Sequence, residues 1–131
     1  MKNEELNNGT IFPLGNKVEK NFIGDAYLQM VFTDEQPLNA GIGSVTFAPG
    51  ARNNWHSHKV GQVLLITGGE GWYQEEGQPA KALKTGDVVN IPANVKHWHG
   101  ATRDSWFVHL AMTPGETEWL EPVDDEAYGK L

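Results

Sequence analysis

The chain has 131 residues, with 10 Lys and Arg against 17 Asp and Glu, a formal net charge of −7, and no cysteine. That length holds one domain of ordinary size and excludes a second catalytic one, while the acidic balance removes any general attraction to phosphate backbones or anionic lipid, so neither nucleic acid nor a membrane is an expected partner. Without thiols there are no disulfides, thiolate nucleophiles, iron–sulfur clusters or Cys-type zinc sites, and any metal must rest on His, Gln, Asp or Glu.

Residues 1–20 hold few apolar groups in no periodic order. They read as an N-terminal tail or an edge strand around Ile11 and Phe12, ahead of a domain spanning residues 21–131. The polar start lacks the apolar stretch of a secretory signal, and no apolar run nears the roughly 20 residues that span a bilayer, which predicts a soluble, cytoplasmic protein. Residues 27–33 alternate, with Leu28, Met30 and Phe32 facing one way and Tyr27, Gln29, Val31 and Thr33 the other, the period of a strand. Residues 42–48 alternate again, Val45 and Phe47 opposite Ser44 and Thr46, up to the Pro49-Gly50 turn. Further short strands are predicted at 55–58, at 62–67 closed by Gly68-Gly69, and at 71–74, 80–83, 87–91, 95–99 and 106–112. Fifteen Gly and seven Pro at short intervals leave no room for long helices. Only 117–131 could hold a helical turn, started by Asp124, Asp125 and Glu126, and the acidic stretch 116–126 reads as a solvated face. The sum is an all-β sandwich, jelly roll or closed barrel.

Five histidines stand at 56, 58, 97, 99 and 109, four of them as two His-x-His pairs. In a strand, residues i and i+2 share a face about 6.6 Å apart, so His56 and His58 can converge on one ion, as can His97 and His99. Gln62, opening the next strand, could add an amide oxygen, and an imidazole from a distant strand would close the set. Such nitrogen and oxygen donors suit Mn²⁺, Fe²⁺, Co²⁺, Ni²⁺ or Zn²⁺ with positions left for water or substrate. His109 alternates onto the same side as Phe107 and Ala111, where it either faces a pocket or is a satisfied core residue. Trp55, Trp72, Trp98 and Trp106 read as core or pocket-wall aromatics, Trp98 packing on the face of its strand opposite the histidines.

Two motifs carry a family resemblance. The first is Gly50, five residues, His56-Ser57-His58, then Gln62 where Glu is usual, and Gly69; the second is Gly86, Pro92 and His97, with Asn94 where Gly is usual and Ala101 where Asn is usual. Together they cover residues 50–101 and resemble the paired signature of the cupin superfamily. The strings WHSHKVGQ, KHWHGA and FVHLAM are similar to the small bacterial single-domain cupins that include the manganese-dependent hydroxynitrile lyases, a group that also holds cupins of unassigned activity.

The resemblance implies a single-domain conical β-barrel of jelly-roll topology with a divalent transition metal inside, Mn first, with Fe, Zn, Ni or Co as alternatives. It implies His56, His58, Gln62 and His97 as ligands and His99 and His109 as unligated pocket groups able to act as catalytic bases. A small-molecule substrate and a homodimer or homotetramer joined through outer sheets follow from it as well. The expected activity is a lyase that makes or breaks a carbon–carbon bond beside a hydroxyl or carbonyl, as in cyanohydrin cleavage; an Fe-dependent dioxygenase and a non-enzymatic small-molecule binder are the alternatives. Gln in place of Glu leaves the ion its full charge, which favours Lewis acidity.

Overall fold

The computed structural model describes residues 10–33 and 35–131, so residues 1–9 of the expected N-terminal tail lie outside the described residues. The chain runs through β1 (Asn16–Lys17), β2 (Phe22–Ile23), β3 (Ala26–Phe32), β4 (Ala40–Phe47), β5 (Arg52–Asn53), β6 (His56–His58), β7 (Gly61–Glu75), β8 (Lys81–Lys84), β9 (Val88–Pro92), β10 (His97–Ala101), β11 (Phe107–Pro114) and β12 (Thr117–Trp119), and ends in the short helix α1 (Asp125–Gly129). Every pairing between strands is antiparallel. The main path runs β1-β3-β4-β11-β7-β10-β5-β2, with β8 and β9 added beside β7 and with β6 joining β10 to β12. This continuous sheet curls on itself into an all-β barrel, so two leaves face each other across one interior.

The alternation read from residues 27–33 and 42–48 is the alternation of β3 and β4, but two local readings change. Ile11 and Phe12 lie in a bend; the edge strand is β1, whose Asn16 and Lys17 pair with Leu28 and Tyr27 of β3. Gly68-Gly69 does not end a strand either. β7 continues through it for 15 residues, its first half paired with β11 and β9 and its second with β10 and β8. The two glycines act as a bend that carries one strand from leaf to leaf: Gly69 has φ of 71°, and a Cβ there would sit 1.7 Å from the Trp106 carbonyl oxygen. A left-handed residue with a side chain is strained by about 1–3 kcal/mol before any clash is counted. Gly69→Ala is therefore expected to lower stability by at least about 2 kcal/mol, read as a drop in urea midpoint at unchanged m-value.

Between the leaves lie Phe47, Leu64, Ile66, Tyr73, Leu83, Ile91 and Phe107, all buried. Each large side chain so buried contributes roughly 1.5–3 kcal/mol. The five residues of β10 are buried without alternation because both of its faces are covered. Its histidines face the interior, while Trp98 packs on the opposite side against Val123 and Tyr128 with Trp55 and Trp72 beside them, donating its indole N–H to Gln74. The C-terminal segment is clasped there by Arg52, which donates to the Val123 carbonyl (2.8 and 3.1 Å) and to Asp125 (2.6 Å) under the Tyr128 ring. Asp124 caps α1, accepting from the Ala127 amide, as the acidic helix start predicts. Among the described residues no helix is long and apolar enough to cross a membrane.

Candidate functional site

The two His-x-His strands are brought together by register: β6 and β10 pair with His97 opposite His56. Because i and i+2 share a face, four imidazoles converge inside the barrel. The ring centroid of His56 lies 4.2 Å from that of His97, 4.9 Å from His58 and 5.3 Å from His99, and His58 is 5.2 Å from His97. Gln62 enters from the start of β7 and His109 from the middle of β11, so all six residues singled out from the sequence meet in one region. The tightest nitrogen grouping, with all ligand atoms within 4.8 Å of one another, is His56, His97 and His99. His58 is turned instead toward Gln62, its Nε2 2.9 Å from Oε1.

One nitrogen of each ring has a hydrogen-bond partner, while His109 Nδ1 is buried without one. His56 Nδ1–H donates to the Asn54 carbonyl (2.8 Å) and His97 Nδ1–H to the Val95 carbonyl (2.9 Å). A carbonyl only accepts, so the lone pair of both rings is on Nε2. His97 Nε2 is buried with no hydrogen-bond partner. His58 Nδ1 pairs with the Thr117 hydroxyl (2.9 Å), and Gln62 Nε2 donates to Thr113 (2.7 Å). His99 Nδ1 and His109 Nε2 are 3.0 Å apart, and Asn53 both accepts from the His99 backbone N–H (2.9 Å) and donates to its ring (3.2 Å).

Burial keeps these rings neutral. Desolvation, reinforced by the neighbouring His97, pushes His56 down to about 2; desolvation, with a further push from His58, takes His97 to about 4, and desolvation takes His109 to about 3. It lowers His58 and, further, His99. Clustered neutral imidazoles with lone pairs aimed inward form a donor set suited to a divalent cation, and an orphaned Nε2 on His97 is a buried acceptor that such a cation would satisfy. The residues present fit the group.

A cavity of about 650 Å³ opens onto the site. His56, His58, Gln62, His99 and His109 line it on one side, and Leu28, Met30 and Val45 supply an apolar wall. Small residues make the room: Gly41, Gly43 and Ala111 line the same face, and a Cβ on Gly43 would meet Leu28 at 2.8 Å. The opposite wall is aromatic. Trp119 packs over His56 with centroids 4.6 Å apart, and Phe22 lies 6.0 Å from Trp119. Of the tryptophans singled out from the sequence, Trp106 stacks with Tyr27, and Trp55, Trp72 and Trp98 cover the outside of β10. The cavity tryptophan is Trp119, inside a stretch that reads as a solvated acidic face; pairing of β12 with β6 sets it opposite His56, where its ring, still partly exposed, packs at the cavity rim. Asn53, Thr113 and Thr117 were equally invisible, being single polar residues whose roles depend on register.

An antiparallel barrel whose interior collects histidines from two paired strands at the base of one apolar cavity defines a metal-binding cupin. The comparisons agree: the cupin domain model of the Cupin_2 type matches residues 43–117, and the chain belongs to the cupin family. It is a small cupin resembling the hydroxynitrile lyases, 40% identical over 111 residues to a protein named (R)-mandelonitrile lyase from Granulicella tundricola, covering 82% of this chain and 85% of that one. A solved cupin-like protein from Thermotoga maritima is 46% identical with a TM-score of 0.89, covering 92% of this chain and 96% of the other. A cupin-2 domain from Rhodospirillum rubrum, 22% identical over 90% of this chain and 78% of its own, shares the fold at a TM-score of 0.68.

Proposed function

We propose that this protein is a divalent-metal-dependent lyase that cleaves the carbon–carbon bond of a small cyanohydrin to a carbonyl compound and hydrogen cyanide. The observation that carries the reading is the hydrogen-bonded pair of neutral imidazoles, His99 and His109, facing the same cavity as the donor set. His56, His58, Gln62 and His97 are assigned as ligands, because His56 and His97 present Nε2 lone pairs inward while the His99 ring is already engaged by Asn53 and His109. A bound divalent ion would supply Lewis-acid stabilisation of negative charge on the substrate oxygen; manganese is the ion the family resemblance favours.

The chain's own residues do the rest. Two neutral imidazoles joined by one hydrogen bond retain one N–H and one lone pair, so the pair can accept a hydroxyl proton. The electrons of that O–H bond form the carbonyl, those of the carbon–carbon bond leave with cyanide, and the proton is returned to cyanide. Burial disfavours a lasting imidazolium, which favours that return. The Trp119 and Phe22 side of the cavity offers a surface for a flat ring, and Leu28, Met30 and Val45 enclose it. The name of the Granulicella relative points to the same class of substrate.

The partnership proposed is a homodimer, since β3 is paired by β1 only at Tyr27 and Leu28 and leaves Met30 and Val31 exposed along that edge. Metal-loaded protein under argon is expected to release benzaldehyde and cyanide from mandelonitrile. Oxygen uptake without cyanide release would replace the lyase with an oxygenase.

A further inference from the structure

β5 is two residues long, and its two side chains lie on opposite faces of the sheet. Asn53 faces the interior, where its Oδ1 accepts from the His99 backbone N–H at 2.9 Å and its amide nitrogen lies 3.2 Å from the His99 ring. Arg52 faces out. Its side chain is only 4% exposed: Nε and Nη2 donate to the Val123 carbonyl at 3.1 and 2.8 Å, Nη2 reaches Asp125 at 2.6 Å, and the central carbon of the guanidinium sits 4.4 Å from the centre of the Tyr128 ring. Tyr128 donates its hydroxyl to the Ala101 carbonyl at 2.6 Å and packs with Val123 on Trp98. Residues 123–128 thus grip β5 at Arg52, and grip β10 at Trp98 and Ala101, on either side of His99 along the chain.

A strand this short has little ladder of its own: β5 meets β10 at the single pair Arg52 and Gly100, and meets β2 at two pairs. The contact with β10 is close, since a Cβ on Gly100 would lie 2.6 Å from the Arg52 Cα. A shift of β5 is therefore passed on to its neighbours, and the anchoring of Arg52 is what resists one. A desolvated guanidinium holds to its acceptors, because leaving it unpaired in the interior costs more than a single hydrogen bond gains. Val123 is the buried acceptor; Asp125 is 93% exposed, so water screens that pair. The consequence lies inside the barrel. His99 shares a 3.0 Å hydrogen bond with His109, and a displacement of about 1 Å in a reacting group can cost on the order of 100-fold in rate.

We propose that Arg52 is a positioning residue for the His99–His109 pair: gripping Val123 outside the barrel, it holds Asn53 against His99 inside, and so makes the C-terminal segment part of the apparatus for proton transfer. This rests on the role given to that pair under Proposed function and extends it to Arg52, Val123 and Tyr128, none of which lines the cavity.

Two measurements test it. In metal-free protein, hydrogen exchange followed by NMR is expected to show the His99 amide exchanging at least about 10-fold faster in Arg52→Lys, which keeps a charge but loses the fork, and in Asn53→Ala. In metal-loaded protein both variants are expected to turn over mandelonitrile about 10- to 100-fold more slowly at wild-type KM and metal content. The double variant is expected to be no slower than Asn53→Ala alone, because a single path is lost only once; a role confined to stability would move neither kcat nor this coupling. Should Arg52→Lys not fold, Tyr128→Leu, which removes the ring beneath the guanidinium and leaves the fork, takes its place, with turnover lowered several-fold and the same dependence on Asn53. Wild-type kcat or wild-type exchange at His99 in the Arg52 or Tyr128 variant, or losses that multiply in the double variant, overturns the inference and leaves the lyase standing. Wild-type protein that turns over no cyanohydrin overturns the underlying reading and this one with it.

Discussion

Replacing His109 by alanine is expected to cut cyanohydrin turnover by about 100- to 10,000-fold while leaving the metal content of the protein unchanged. That loss equals about 3–5.5 kcal/mol of transition-state stabilisation, the scale expected of one general base. The argument is geometric. His109 is fully buried on β11, its Nε2 is 3.0 Å from His99 Nδ1, and none of the four assigned ligands is its hydrogen-bond partner. Removing it should therefore spare loading and strike proton transfer. Its ring also packs between Phe47 and Phe107, with centroids 5.4 and 5.5 Å away, so alanine leaves a void as well. His109→Gln keeps most of the volume and a polar end, and separates the two effects: lost turnover in a Gln variant of near-native melting temperature is chemistry, not packing. Should both variants turn over at the wild-type rate, the proton acceptor is His99, and Asn53, which holds that residue by ring and backbone, becomes the residue to change next.

The metal-binding character of the interior was legible because its signal is periodic. His56 with His58 and His97 with His99 announce two strand faces by spacing alone, and the turn residues around them predict short strands, which is most of a barrel. What spacing cannot supply is register. Trp119 reads as one apolar residue among acids, yet one strand pairing sets it over His56; Thr113 and Thr117 carry no periodic signal and acquire meaning only once β11 and β12 are laid beside the histidine strands. Gly68-Gly69 shows the complementary failure. Two glycines punctuate a strand in the local sequence, but their conformational freedom here bends β7 between the leaves instead of ending it, because the same residue that permits a turn also permits a close backbone approach. Local chemistry thus predicted the elements, and long-range pairing decided which neighbours those elements have.

Metal-stripped protein is expected to lose several kcal/mol of stability between pH 7 and pH 5. The sign follows from proton counts. His56, His97 and His109 start from an ordinary value of 6.5 and are pushed by burial to about 2, about 4 and about 3. At pH 7 neither the folded nor the unfolded chain protonates them much. As pH falls below 6.5 the unfolded chain takes up protons that the folded barrel cannot accept, so stability decreases with acidification and goes on decreasing until the folded values are reached. At pH 5 each ring contributes a loss of about 2 kcal/mol, and three of them approach the 5–15 kcal/mol that holds a typical domain together. A bound ion acts the other way, since it binds the folded state and stabilises it by mass action, so saturating metal should move the acid midpoint downward. Urea melts of stripped and loaded protein at pH 7, 6 and 5 measure both effects. A stripped protein whose urea midpoint is flat across that range would mean that the histidines protonate in place, with water reaching the cluster, and the neutral pair on which the proton transfer depends would then carry a charge.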